Sequence, residues 1–532
     1  MRQLSVVLAV TVALLLAACG GQSDTGTTQQ EPGQAPQQEQ EQEQQGDTAE
    51  KDTLVIANAV EIPTFDVQQV LGIDAIVAIA NLYDRLLYLD ADDQVYPWLA
   101  TDWEVSEDGR TWTFHMRDDA VFPDGTPVTS QAVAYSIERA IGPDSPSSLS
   151  KTYLQMISKV ETPDDYTVVL HTEEPFAPML RHVGHQIALA ILNPNVVEAH
   201  NNDLTTAVDA GSGMYKLVEW KRGEHLILER NEDWWGPKPY FKRIIYRPVS
   251  DPATRVLMLE TGEVDVATVL PNFEVERLRQ DPNIKIIETD SIRSMMFLFN
   301  WDKPPVDNVL VRQAINHAVD VQAIIDTVLN GYGKPATSPI APNMRYHVPV
   351  HNYPYDPDRA RELLRQAGVE PGTKIVIQSP QGRWPGDAEI SQAVAGFLNE
   401  VGFDAEVRIF GDWAQFLETR TKDEFHLIMT AWAPGSLDAD GTFNALFRTG
   451  GNNNYGGYSS PEADDLIVRG VQTLDGPERE AIYRDLQELL NEDLPYLLLH
   501  NSVSFSGVRA NICGVNVRGD DAHIIKDARV CD

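Results

Sequence analysis

Few residues in this chain have the types and spacing that chemistry needs. Asp438 and Asp440 are two carboxylates in one polar stretch, a pair that can act as acid and base, with solvated or capping roles as the alternative. His182 and His185 could ligate a metal, but neither they nor 438–441, which has part of the spacing of a calcium-binding loop, provide a full ligand set. The motifs Gly-x-Ser-x-Gly, His-Glu-x-x-His, Gly-x-x-x-x-Gly-Lys and Cys-x-x-Cys are absent from the sequence. The sequence therefore lacks the usual constellations of a hydrolase, a metalloprotease or a nucleotide-binding enzyme, which argues against an enzyme, and no cofactor or metal is expected.

Arg383 and Trp384 are candidate ligand contacts. They lie in the Gly/Pro-rich stretch 381–385, between a predicted strand at 374–378 and a predicted helix around Ile390. Folds of the α/β class often bind ligands in loops of this kind. An arginine can bind a carboxylate through two hydrogen bonds, and an indole offers a flat apolar wall. An arginine that binds nothing in a surface loop is the alternative.

The N-terminus predicts export. Arg2 precedes an apolar run at 4–16, which ends in Ala17-Ala18-Cys19 and is too short for the roughly 20 residues that cross a bilayer. This pattern predicts a signal peptide over 1–18. The cysteine after two alanines resembles the bacterial lipobox, which implies a lipid on Cys19 and attachment to the extracytoplasmic face of the cell membrane. A plain signal peptide with an incidental cysteine is the alternative.

Residues 19–50 are predicted to be a disordered tether behind the lipidated cysteine. Residues 20–50 contain ten Gln, seven acidic residues and no Lys or Arg, a composition that buries too little apolar surface to fold. A coil of this length would reach about 30 Å. The tether would therefore keep a folded body close to the membrane without fixing its orientation.

Size, charge and cysteines restrict the body at 51–532. It exceeds the size at which one hydrophobic core keeps growing, so at least two lobes are expected. The formal net charge of the whole chain, −37, is carried mostly by the body and argues against nucleic acid or anionic lipid as the main partner. Cys513 and Cys531 are an even number in an oxidising compartment and are predicted to form a disulfide, with two free thiols as the alternative.

Periodicity indicates a mixed α/β fold. Asp356 as N-cap, Pro357 at the first helical position and Gly368 as the stop bound the clearest predicted helix. A strand at 374–378, a helix around Ile390 and a strand at 405–409 predict a βαβ unit, so one lobe should contain a partly parallel sheet. Further predicted strands are 53–57, 166–170, 226–229, 284–287 and 496–500.

Several short blocks together carry a family resemblance. They include Asp-Gly-Arg-Thr-Trp-Thr-Phe at 108–114, Phe-Pro-Asp-Gly-Thr-Pro-Val-Thr at 122–129, and further blocks at 99–104, 211–216, 230–235, 259–265 and 311–314. The chain resembles the extracellular solute-binding proteins of peptide and nickel ABC importers. The resemblance covers essentially all of 51–532.

This resemblance implies a type II periplasmic-binding-protein-like clamp that closes on its ligand by hinge motion. The first lobe is expected at 51–298 with 499–532, and an extra subdomain of that lobe at about 97–209. The second lobe is expected at 299–498. The two chain crossings are expected near 299–301 and 499–501.

The resemblance also implies a ligand site. Peptide-binding members pair a peptide's carboxylate with a basic side chain and its α-ammonium with an acidic one, because buried charges need charged partners. The expected anion anchor is Arg383 beside Trp384, and the second region runs from Trp432 to Asp438 and Asp440. In those members the acid lies three residues after the tryptophan, a position that is Gly435 here, so this chain departs from the pattern.

Three more residues complete the expected ligand-binding set. Ser212 and Gly213 form a turn that lies near the cleft in members of the family, and Asn300 lies at the first expected crossing. The implied function is capture of a small solute, best interpreted as a short peptide, by a monomer that delivers it to an ABC permease. Nickel or a metal chelate, glutathione and oligosaccharides are alternative ligands. A surface adhesin or sensor lipoprotein, or a secreted hydrolase, are alternatives of other classes.

Overall fold

The computed structural model describes residues 51–69, 79–92, 94–143, 145, 149–185, 189–206, 208–420 and 424–531. The predicted signal peptide, Cys19 and the tether lie outside the described residues.

The strands and helices alternate along the chain. The strands are β1 (Thr53–Asn58), β2 (Leu87–Leu89), β3 (Val95–Pro97), β4 (Ala100–Val105), β5 (Thr111–Met116), β6 (Ile157–Asp164), β7 (Thr167–Thr172), β8 (Tyr215–Lys221), β9 (His225–Arg230), β10 (Arg243–Pro248), β11 (Val266–Ala267), β12 (Ile284–Phe299), β13 (Lys334–Pro335), β14 (Lys374–Pro380), β15 (Asp404–Phe410), β16 (Leu427–Trp432), β17 (Tyr496–Arg509), β18 (Ile512–Cys513), β19 (Asn516–Val517), β20 (His523–Ile524) and β21 (Arg529–Val530). The α-helices are α1 (Ser130–Ile141), α2 (Leu149–Leu154), α3 (Met179–Gly184), α4 (Pro194–Ala199), α5 (Pro252–Thr261), α6 (Val275–Leu278), α7 (Val309–Ala318), α8 (Val321–Val328), α9 (Pro357–Gln366), α10 (Asp387–Glu400), α11 (Trp413–Thr419), α12 (Asp440–Leu446), α13 (Pro461–Gln472) and α14 (Pro477–Asp493). Short 3-10 helices lie at Val67–Gln69, Ile79–Leu82 and Asn272–Glu274.

One 11-stranded sheet runs through the body in the order β15-β14-β16-β12-β17-β11-β1-β10-β9-β8, with β13 also paired to β17. The side of the sheet with β11, β1, β10, β9 and β8 is called the first half, and the side with β16, β14 and β15 is called the second half. Its centre is the long antiparallel pair β12 and β17, a ribbon that belongs to both halves. On one side of the ribbon, β1 is parallel to β10 and β11. On the other side, β14 is parallel to β15 and β16.

Each half buries its part of the sheet between two layers. In the second half, side chains of β12 alternate between the faces, as the two-residue period of a strand requires. Phe297 packs in the core with α7–α10, whereas Leu298 packs in the core with α12–α14. In the first half, Leu54 of β1 lies in one core and Ala57 in the core with α5 and α6.

Two local predictions are confirmed in the second half. Asp356 caps α9 by accepting a hydrogen bond from the Arg359 amide at 2.9 Å, and Gly368 takes a left-handed backbone (φ +71°) just after the helix. The β14–α10–β15 segment forms the predicted parallel βαβ unit. Both features depend on residues close in sequence.

A smaller four-stranded sheet, in the order β4-β5-β7-β6, packs with α1, α2 and α3 around a separate hydrophobic core. These elements are called the small subdomain. Trp112 and Phe114 of β5 lie in that core, as their alternation with polar residues predicts. Thr129 precedes the first residue of α1, but its side chain makes no capping hydrogen bond.

The central ribbon is irregular in its middle. Its register shifts between Asp290 and Ser294 and again between Ser294 and Met296. The predicted crossings at 299–301 and 499–501, and the lobe boundaries derived from them, stay predictions. The irregular stretch of β12 begins after Asp290, several residues before the predicted crossing at 299–301.

The C-terminal tail folds back on the first half in two short two-stranded sheets. β18 pairs with β21, and β19 pairs with β20. Cys513 and Cys531 are joined by a disulfide, with their Cα atoms 5.3 Å apart. No helix among the described residues is both long enough and apolar enough to cross a membrane.

Candidate functional site

The two sets of parallel strands point their carboxyl ends at each other. The first residue of β16 pairs with Phe299 of β12 and its last residue pairs with Ser294, so β16 runs toward the irregular middle of the ribbon. The two residues of β11 pair in order with Val508 and Gly507 of β17, so β11 also runs toward the middle of the ribbon. Ligands of α/β folds bind outside the carboxyl ends of such strands. The ribbon's middle is therefore the floor of the candidate cleft.

A cavity of about 500 Å³ lies beside this floor. Its wall includes residues of β12 from Ile287 to Ile292, Met344, Leu437 of the loop after β16, and Arg518 of the C-terminal tail. Leu437 and Met344 belong to the second half, whereas Arg518 belongs to the tail on the first half. The cavity is thus lined by both sides of the cleft.

Arg383 lies at this edge, in the loop that follows β14, and is exposed. Its guanidinium carbon lies 5.3 Å from the centre of the Trp413 ring, which is 38% exposed at the start of α11, just after β15. No carboxylate of the described residues lies within ion-pair distance of Arg383. Trp384, by contrast, is buried in the core with α10 and meets Trp413 edge-on at 5.8 Å. The aromatic surface beside Arg383 is therefore Trp413, which the sequence analysis missed.

Asp387 holds the Arg383 loop in shape. Its Oδ1 accepts from the backbone amides of Gly382 and Ala388, and its Oδ2 accepts from those of Arg383 and Trp384, all within 2.9–3.0 Å. A carboxylate at the start of a helix is favoured by the helix dipole. The acidic residue two positions after Pro385 was the missed sequence signal.

The loop at 433–439, after β16, contains the second predicted region. The Trp432 indole donates to the Gly441 carbonyl at 3.0 Å, so it holds this loop against the start of α12. Asp438 is fully buried and accepts two hydrogen bonds from Arg479, at 2.8 and 3.0 Å. The charge of Asp438 is therefore already paired inside the protein.

Asp440 faces the small subdomain. Its Oδ1 accepts from Ser436 Oγ at 3.1 Å, and its Oδ2 lies 3.6 Å from His182 Nε2. Nearby, the ring of Tyr153 stacks on His185 with centres 5.0 Å apart. Burial lowers the pKa of His185 to about 3, so its imidazole is neutral at pH 7. This loop therefore forms a contact between the second half and α2 and α3 of the subdomain.

Ser212 and Gly213 lie in the first half, away from this loop. Ser212 is fully buried and donates to Asp84 at 3.1 Å, and Asp84 also accepts from the Trp98 and Trp235 indoles at 2.7 and 3.0 Å. A Cβ on Gly213 would lie 2.4 Å from the Asn81 carbonyl oxygen, so this turn needs glycine for a close backbone approach. Both residues have clear structural roles.

Asn300 is not brought to the same edge. It follows the last residue of β12, and its side chain donates to the Phe425 carbonyl at 3.2 Å, just before β16 begins. Trp432 lies at the other end of β16, about 17 Å away at the usual rise of a strand. The structure thus groups Arg383, Trp384, Trp432, Asp438 and Asp440 but separates Asn300 from them.

Within the described residues, no group of three or more His, Cys, Asp or Glu side chains could hold a metal ion. His182, His185 and Asp440 come near one another, but they do not converge as ligands.

The two-halved α/β body and the cleft at its strand ends define a binding protein of the two-lobed type. The sequence model described as "Bacterial extracellular solute-binding proteins, family 5 Middle" matches residues 94–454. The chain therefore belongs to this family of solute-binding proteins, and the predicted family, fold class and ABC-importer function are confirmed.

Three relatives show how far the similarity extends. Glutathione-binding protein GsiB of Pectobacterium atrosepticum is 28% identical over 459 residues, which cover 84% of this chain and 88% of GsiB. Probable D,D-dipeptide-binding periplasmic protein DdpA of Escherichia coli is 29% identical over 466 residues, with the same 84% and 88% coverage. The structure of DppA, an ABC transporter-associated periplasmic binding protein from Helicobacter pylori, in complex with the peptide STSA has a TM-score of 0.76 and 26% identity. It covers 90% of this chain and 98% of DppA.

Proposed function

We propose that this protein captures a short peptide or peptide-like solute and hands it to the permease of an ABC importer. The observation that carries the proposal is Arg383, an exposed arginine without a carboxylate partner among the described residues, at the carboxyl ends of β14–β16. An unpaired guanidinium at a cleft edge can bind a ligand carboxylate through two charge-assisted hydrogen bonds. The relatives named for glutathione, D,D-dipeptides and the peptide STSA support a ligand of this class.

The ligand contacts follow from the geometry of the edge. Arg383 would bind the carboxylate, and the exposed face of Trp413 would cover an apolar part of the ligand. Trp384 and Trp432 would support the site without contacting the ligand. Trp384 packs in the core, and Trp432 holds the 433–439 loop in place. Asp438, Ser212, Gly213 and Asn300 would serve the fold, since each has protein partners of its own.

Closure would occur about the irregular middle of the β12–β17 ribbon. A register shift leaves a strand with fewer ladder hydrogen bonds, so it bends there more readily than elsewhere. A ligand drives closure only if it binds the closed form more tightly than the open form. A carboxylate on Arg383 that also contacts the first half would meet that condition.

The location follows from the N-terminal sequence. A lipid on Cys19 and the acidic tether would hold the body at the extracytoplasmic face of the membrane, near the permease. The disulfide between Cys513 and Cys531 suits an oxidising compartment.

Calorimetric titration with the dipeptide alanyl-leucine and with its C-terminal amide tests the proposal. The amide lacks the charge that Arg383 would bind, so it should bind about tenfold to a hundredfold more weakly than the acid. Equal affinity for the two forms would refute Arg383 as the carboxylate anchor. Tight binding of nickel or an oligosaccharide, with no heat from either peptide form, would refute the ligand class.

A further inference from the structure

A tyrosine from the small subdomain, Tyr153, packs against the loop at 433–439. The Tyr153 hydroxyl is hydrogen-bonded to the Gly435 backbone. A Cβ on residue 435 would lie 2.1 Å from the Tyr153 hydroxyl oxygen and 3.3 Å from His185 Nε2. Burial raises the pKa of Tyr153, and His185 is neutral, so both groups facing Gly435 are uncharged at pH 7.

The two carboxylates at this loop and at the start of α12 already have partners inside the protein. Asp438 is paired with Arg479 through both oxygens. Asp440 accepts from Ser436 and faces His182. A cationic group of a ligand at this loop would therefore lose its hydration without gaining a free carboxylate.

The acids in the cavity wall show the same pattern, with one exception. Glu288 is paired with Arg279, and Asp290 is paired with Lys334. Asp92 lies exposed at the wall, and none of the described cations is paired with it. If the described cleft recognises a cationic group of the ligand, Asp92 is the carboxylate that would bind it, so substitution of Asp92 tests this recognition.

We infer that the ligand is a peptide-like anion whose amino end carries no free ammonium group, such as an N-acylated or cyclised amino acid or dipeptide. The charge balance supports this class, because Arg383 has no carboxylate partner among the described residues whereas Asp438 and Asp440 both have partners inside the protein. Tyr153, packed on Gly435, is then a specificity-determining residue that closes the loop with a neutral surface. The inference rests on the proposed function, which supplies the carboxylate on Arg383.

Calorimetry on the unmodified protein tests the inference with alanyl-leucine and N-acetyl-alanyl-leucine. The N-acetyl form should bind at least about tenfold more tightly, because it has no ammonium group to dehydrate. Tighter binding of the free dipeptide would overturn the inference, and so would a loss of its binding in Asp92→Asn. These outcomes are separate from the comparison of acid and amide, which tests the proposed function. If neither peptide binds, both the ligand class and this inference fail.

A variant pair tests the role of Tyr153. Removing the ring and adding a carboxylate, in Tyr153→Ala/Gly435→Asp, should reverse the preference to the free dipeptide by about tenfold. Tyr96→Ala, which changes a tyrosine that is 47% exposed, is the matched control and should keep the native preference. An unchanged preference in a double variant that melts cooperatively would remove Tyr153 as a determinant. If the double variant does not fold, Tyr153→Phe is tested instead. It keeps the neutral ring and adds no carboxylate, so it should keep the native preference, and a reversed preference in this variant would contradict the role of Tyr153.

Discussion

Two loops at the same edge of the sheet use their charged residues in opposite ways. The loop after β14 exposes Arg383 and gives it no carboxylate among the described residues. The loop after β16 buries Asp438 and pairs it with Arg479. Each loop follows a parallel strand, and each presents one prominent charge in the sequence. The first charge is available to a ligand, whereas the second stabilises the fold.

Pairing, and not charge or position, therefore decides which of these residues can bind a ligand. A buried charge that loses its partner is very unfavourable, whereas an exposed charge without a partner costs little. Substitution at the two sites should therefore separate stability from affinity.

The largest effect is expected for Arg479→Ala. It leaves the Asp438 carboxylate buried without its partner, which costs about 3–5 kcal/mol of unfolding free energy. Denaturant unfolding of the unliganded protein measures the change. Arg469→Ala is the matched control, because Arg469 pairs with Asp465 on the exposed face of α13 and should contribute about 0.3–0.5 kcal/mol. Equal effects of the two variants would contradict a structural role for the buried pair.

The next effect is expected for Arg383→Ala, in affinity and not in stability. Losing a charge-assisted hydrogen bond to a carboxylate should weaken binding by about 1.5–3 kcal/mol. The melting temperature without ligand should stay close to the native value, since the side chain is exposed. Arg365→Ala, an exposed arginine of α9 in the same half, should change neither quantity. A large loss of stability in Arg383→Ala would remove the contrast between the two loops.

Acid should weaken the contact between the second loop and the subdomain. Burial lowers the pKa of His185 from 6.5 to about 3, so the unfolded chain takes up a proton in this range before the folded protein does. Stability therefore falls as the pH drops below about 6.5, by up to about 1.4 kcal/mol per pH unit for this group. His185→Gln should reduce the slope of unfolding free energy against pH, whereas His200→Gln, at an exposed position, should not. An unchanged slope in His185→Gln would contradict the burial of a neutral imidazole.

The sequence predicts those features that depend on neighbouring residues. The cap of α9 and the β14–α10–β15 unit follow from residues within one helix or one short connection. The strand starting at Ile284 was predicted to end at Ile287, yet β12 continues to Phe299. Polar residues such as Ser291 and Ser294 interrupt its apolar pattern. Its partner strand β17 lies far away in the sequence, so local patterns do not predict the pairing.

The same limit applies to the candidate site. Arg383 could be identified because its loop lies between a predicted strand and a predicted helix. The partner of Asp438 lies 41 residues further on, in α14, and Tyr153 comes from another subdomain. Such pairs form only when the chain has folded, so the sequence indicates the loop at 433–439 but not the loss of its free charge.

The smallest effect is expected for Trp413→Leu, and it tests how the first loop works. An arginine beside an exposed indole gains about 0.5–1 kcal/mol from the cation–π contact, which also limits the positions of its guanidinium. Leucine keeps an apolar surface but removes this contact, so affinity for alanyl-leucine should fall about twofold to fivefold. In the double variant Arg383→Ala/Trp413→Leu the two losses should not add, because the ring acts partly through the arginine. If the losses add fully, Trp413 contacts the ligand independently, and the loop presents two separate binding groups.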